Sequence, residues 1–148
     1  MKPYRSALLA LGIAAVVAGC SERALETVRK VTYPPDFNYV SQKKLQGTMD
    51  QFAWYTQLLQ KNLDNPQITP EQRLQTVQIL KKMDELAAEL GSQSLRSNHR
   101  QVSENIDAFR RDIAAAREAV LQNPPDYNKA RVVPAYCLRC HSLGRERD

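Results

Sequence analysis

NHRQVSENIDAFRRDIAAAREAV, residues Asn98 to Val120, is the stretch from which the fold is read. Its apolar residues Val102, Ile106, Phe109, Ile113, Ala116 and Val120 recur at alternating steps of four and three, the period of one helix face. Counting one step back places His99 on the same face. Asn98, with Gln101 three residues on, supplies a start signal: a short polar side chain can accept from the orphan N–H groups of a first turn while the glutamine reaches back.

The same period appears twice upstream. Leu45, Met49, Phe52, Thr56, Leu59 and Leu63 form a stripe on a helix predicted over residues 38 to 63, which Asn65-Pro66 ends. Thr69-Pro70-Glu71-Gln72 then combines an N-cap, a proline at the first helical position and a capping-box glutamine. The helix it opens carries Ile79, Met83, Leu86 and Leu90 inward and closes at Gly91, before a polar loop from Ser92 to Ser97. Downstream, Asn123-Pro124-Pro125 breaks the helix of Asn98 to Val120, and Asp126 can cap a fourth that runs to residue 141. Pro134 lies inside that last segment and predicts a kink there, or a helix that begins there. No segment alternates with the strand period. Four helices joined by short loops favour antiparallel neighbours, so the expected fold is all-α, an up-down-up-down four-helix bundle around one core. In that topology the end of the fourth helix meets the start of the first, the end of the second and the start of the third.

Cys137-Leu138-Arg139-Cys140-His141, at the end of the fourth helix, is a C-x-x-C-H pentapeptide, the attachment signature of c-type haem. The chemistry needs both thiols beside the imidazole: each sulfur adds across a haem vinyl group, and the ring nitrogen turns onto the iron from the same helix face. Three other readings compete: a redox dithiol, half of a zinc site, and a disulfide across a tight loop. Zinc wants two further Cys or His ligands, and the chain offers only His99 and Cys20. A thioredoxin-type dithiol follows a strand in a βαβ pattern, and none is visible. Motif, compartment and fold agree on one covalent haem c, with Cys137, Cys140 and His141 as its attachment residues.

The compartment is read from the N-terminus. Lys2 and Arg5 precede an apolar run from Ala7 to Gly19, too short to span a bilayer comfortably, and Val17-Ala18-Gly19-Cys20 closes it with small residues before a cysteine. This ending resembles the bacterial lipoprotein lipobox. It implies a signal peptide over residues 1–19 and a lipidated Cys20 as the first mature residue; an uncleaved anchor or an ordinary signal is the competing reading. One cysteine is then assigned to lipid and two to haem, leaving no pair for a structural disulfide. The expected location is the periplasmic side of a bacterial membrane, with Ser21 after the cysteine leaning towards the outer membrane.

Removing the first 19 of 148 residues leaves 129, the size of one domain. The formal charge falls from +5 to +3 with the loss of Lys2 and Arg5, and haem propionates would lower it further. The basic residues alternate with acidic ones, so the composition argues against a nucleic-acid partner. Residues 20–37 read as a lipidated tether: Ser21 to Val31 is polar with helical propensity, and Tyr33-Pro34-Pro35 stops the helix and favours a stiff, extended spacer. The four-helix domain then occupies residues 38–148.

An export signal, four helices and C-x-x-C-H near the end of the fourth resemble the class II c-type cytochromes, the cytochrome c-prime family and its low-spin relatives. The likeness extends over Asn98-His99 to Glu104-Asn105-Ile106-Asp107 and Phe109, then Pro124-Pro125 and Cys137 to His141. It implies His141 as the proximal iron ligand and a first-helix residue facing the other side of the haem. That position falls near Met49, a ligand in the low-spin manner, with Leu45 one turn earlier as the apolar residue of a five-coordinate, high-spin site. Met83 and His99 are rivals: the first reads as core packing, the second as a histidine bonding backbone or a propionate. Arg139, Arg145 and Arg147 surround the haem end as a solvated terminus or a receptor for propionates or an acidic partner.

The expected function is that of a monohaem c-type cytochrome carrying single electrons in the periplasm, with periplasmic or membrane redox proteins as partners and no catalysis of its own. The resemblance also allows a homodimer. The alternative is a five-coordinate haem protein that binds a small gas, NO or CO. A third reading is a helical interaction lipoprotein whose C-x-x-C-H is incidental.

Overall fold

The computed structural model describes residues 22–34, 36–91 and 96–142. The predicted signal peptide, Cys20, Arg145 and Arg147 lie outside the described residues. The chain divides into two compact units between Phe37 and Asn38. In the first unit, α1 spans Glu22–Thr32. It ends where expected, but the segment after it is not the extended spacer that the prolines suggested. The Phe37 N–H donates to the Pro34 carbonyl at 2.9 Å, and the Tyr33 and Phe37 rings stack with centroids 4.5 Å apart. Proline's restricted φ suits a turn as well as an extended chain, and the ring stack favours the turn.

The second unit is mostly helical. Two short strands, β1 (Phe37–Asn38) at the division and β2 (Arg96–Ser97), run over two residues each, too few to register as alternation in sequence. The first long helix, α2, spans Gln42–Leu63, with Ser41 Oγ accepting from the Lys44 N–H as N-cap. It starts four residues later than periodicity suggested because the chain before it is held away from helix. The Asn98 side chain donates to the Val40 carbonyl and accepts from the Val40 N–H, at 2.8 and 2.9 Å. That clasp also overturns the expected cap of the third helix. Asn98 spends its amide on Val40, and α4 (Arg100–Leu121) opens at His99 with no side-chain cap.

The second long helix, α3, spans Pro70–Leu90, and both bonds of the Thr69–Gln72 capping box are present. Gly91 closes it at φ +114°, where a Cβ would lie 2.4 Å from the Asn38 amide nitrogen. The predicted fourth helix is two pieces, α5 (Asn128–Val132) and α6 (Ala135–Ser142). Pro134 brings no N–H to the ladder, and the turn there tightens to i→i+3 bonds, Tyr136 N–H to Val133 and Cys137 N–H to Pro134. Asp126 is not the N-cap: Tyr127 holds that position without a side-chain cap, and Asp126, one residue earlier, accepts from the Asn128 N–H at 2.9 Å.

Helices that follow one another pack on one another: α2 on α3, α3 on α4, and α4 on both α5 and α6. Their ends are tied crosswise. Lys44 near the start of α2 donates to the Glu89 carbonyl near the end of α3. Arg73 near the start of α3 reaches the Val120 and Gln122 carbonyls at the end of α4, both at 2.9 Å. Leu59, Leu80, Met83, Leu90, Ile113, Val120 and Val133 are buried at the centre. Each fully buried aliphatic side chain contributes roughly 1.5–3 kcal/mol of transfer free energy.

Candidate cofactor site

The predicted stripes are not uniformly buried. Leu59, Leu63, Ile113 and Val120 are core, whereas Leu45, Met49, Val102 and Phe109 are only half-buried at its edge. The half-buried set lies at the start of α2 and the start of α4, and it lines a cavity of about 290 Å³. The wall is completed by Phe52, Ala53, Leu90, Gln101, Asn105, Ile106, Tyr136, Cys137, Cys140 and His141. The start of α2, the end of α3, the start of α4 and the whole of α6 thus meet around one space.

Within α6, Cys137, Cys140 and His141 fall at i, i+3 and i+4, so one helix face carries all three into the cavity wall. Both thiols are free. Cys137 and His141 are exposed at the rim, and Cys140 is half-buried. Burial pushes the Cys140 thiol above its ordinary range; the neighbouring Cys137 adds to this and Arg139 opposes it.

No residue of α6 is buried, so what holds this helix on the domain is local. Tyr136, directly before Cys137, donates its hydroxyl to Asp112 Oδ2 on α4. Its ring leans on Phe109 at 5.4 Å, and Phe109 meets Phe52 edge-on at the same distance. An aromatic row therefore crosses from α2 through α4 to α6 beneath the cavity. The hydrogen bond to Asp112, then burial, then the Asp112 charge hold the Tyr136 phenol above its usual range, against Arg139 and Arg111. The Arg139 side chain is exposed, as a solvated helix terminus would be, and its guanidinium sits 5.6 Å from the Tyr136 ring centre.

Met49 and Leu45 both line the cavity, one turn apart on α2. Met83 does not; it is fully buried mid-core. His99 does not line it either. Its Nε2 lies 2.9 Å from the Val40 carbonyl and 3.2 Å from the Asn98 amide nitrogen, within the clasp between Val40 and Asn98. Tyr136, Asp112, Gln101, Ala53 and Asn105 are the members that the helical stripes did not reveal. Asp112 is 24 residues from its partner and no spacing links the two.

A haem needs a largely apolar slot, two thiols on one helix turn and an imidazole beside them. The cavity wall offers these together, and its volume lies near the lower end of the roughly 300–1,000 Å³ of ordinary ligand pockets. The donor set therefore fits the group that the motif implies. Among the described residues, no helix is long and apolar enough to cross a membrane. Comparisons with protein families, curated proteins and solved structures gave no match to this chain.

Proposed function

We propose that this protein is a membrane-tethered, monohaem c-type cytochrome that carries single electrons, built as an antiparallel four-helix bundle whose fourth helix is broken at Pro134. The observation that carries the reading is an apolar cavity shared by Cys137, Cys140 and His141 on one wall and Met49 on another. The crosswise ties of Lys44 and Arg73 support the antiparallel arrangement.

In this reading Cys137 and Cys140 would hold the haem through thioethers, and His141 of α6 and Met49 of α2 would ligate its iron. Bound there, haem supplies a one-electron ferric/ferrous couple. The apolar walls, Phe52, Val102, Ile106 and Phe109 among them, would keep water from a bound macrocycle and so limit reorganisation when charge changes. Ligation by the Met49 thioether would leave no place for a gas. Leu45 shares the wall with Met49, and were Leu45 to face the iron the site would take small uncharged ligands instead.

Absorption spectra of the oxidised and reduced protein, with and without carbon monoxide, separate the two. The expected result is a low-spin spectrum unmoved by carbon monoxide that becomes high-spin in Met49→Ala. High-spin wild-type spectra with ready carbon monoxide binding would establish the gas-binding reading, and a low-spin spectrum lost only in His99→Ala would move the ligand to the entry of α4.

Export and acylation complete the reading. Cys20 carries the lipid, and the domain works on the periplasmic side of a membrane, passing electrons to or from redox proteins there.

A further inference from the structure

The α1 helix sorts its positions by chemistry. By helical spacing, positions 24, 25, 28 and 31, all Ala, Leu or Val, share one half of the cylinder, while the charged positions 22, 23, 26, 29 and 30 share the other. Leu25, Val28 and Val31 are 46%, 60% and 86% exposed. An 11-residue helix is marginal in water on its own propensity, so a clean apolar stripe on one needs a surface to cover it.

The sequence points to that surface. Cys20 stands two residues before Glu22, and acyl chains on it would hold the first turn of α1 at the headgroup level of a bilayer. The polar half carries Arg23, Arg29 and Lys30 against Glu22 and Glu26, too even a balance for charge attraction to dominate, so burial of the stripe would do the binding. We propose that α1 lies in the membrane interface with Leu25, Val28 and Val31 turned into the lipid, as a second membrane contact beside the acyl anchor. The proposal rests on the reading of Cys20 as acylated. It replaces a spacer standing off the membrane with a strap lying along it.

The test uses the haem-loaded mature chain with Cys20→Ser, exported by an ordinary signal so that no lipid is present. It is sedimented with vesicles of phosphatidylethanolamine and a minor fraction of phosphatidylglycerol. The expected result is vesicle binding that persists in high salt and falls about tenfold or more in Leu25→Glu/Val28→Glu, with an unchanged haem spectrum as the folding control. In a Trp54→Phe background, emission from Val28→Trp should shift to the blue when vesicles are added. Absence of vesicle binding, equal binding by the double variant, or binding abolished by salt overturns the proposal. So does a change in sedimenting mass without vesicles in Leu25→Glu/Val28→Glu, which would make the occupant a second copy of the chain. Failure of the acylation reading is seen separately, as wild-type protein without lipid at Cys20.

Discussion

Tyr136 does two jobs with one side chain: its ring closes the aromatic row under the cavity, and its hydroxyl ties α6 to Asp112 on α4. Tyr136→Phe separates them, keeping the ring and deleting the tie. The tie is partly solvated, so at neutral pH the loss should be about 1 kcal/mol or less, read by urea unfolding. The sign of its pH dependence follows from the raised phenol: stabilisation is fully present below the unfolded tyrosine value of about 10 and is lost as pH rises through the higher folded value. The gap between wild type and Tyr136→Phe should therefore be constant to about pH 10 and shrink above it. A gap that widens in alkali would contradict the assignment. That Cys137, Cys140 and His141 share one helix face was legible from five consecutive residues, because their spacing is local. Tyr136 was not, because its partner is remote in sequence and its neighbour Pro134 gave no hint of how α6 would lean.

Helix starts show where local signals hold and where they yield. Thr69-Pro70-Glu71-Gln72 and Asn98 with Gln101 read alike in sequence, yet only the first forms its capping box. The difference is competition: nothing distant claims Thr69, whereas the extended backbone at Val40 offers Asn98 both a donor and an acceptor, 58 residues away. Thr69→Ala should accordingly cost about 1 kcal/mol on denaturant unfolding, and no loss would argue against the box. The other end of α3 is more constrained. Gly91→Ala places a methyl on the Asn38 amide, which donates to the Leu90 carbonyl, at a φ that alanine adopts poorly. An expected cost of about 1–3 kcal/mol should be non-additive with Asn38→Ala, since both changes act on one contact. The stripes themselves are legible in sequence, whereas Pro134 is compatible with either a kink or a helix start, and the i→i+3 turn there separates α5 from α6.

The unit from Asn38 onward combines a buried core with an apolar cavity at its edge, the two sharing Phe52, Leu90 and Ile106, and in the proposed reading the cofactor completes the packing that the helices leave open. Residues 1–21, with the stretch that resembles an export signal and lipobox, lie outside the described residues. They yield a test for the whole chain: wild-type protein should appear in the membrane fraction, and Cys20→Ala should be released or left unprocessed, because two or more acyl chains anchor stably where one does not. Recovery of wild type as a soluble periplasmic protein would remove the anchor from this picture while leaving the haem site intact. The haem itself is tested most directly by covalency. Protein expressed with export to the periplasm should keep haem on the polypeptide through denaturation in acid and detergent, and Cys137→Ala/Cys140→Ala should not. Haem extracted from the denatured wild type, or covalent haem retained by the double variant, would contradict it.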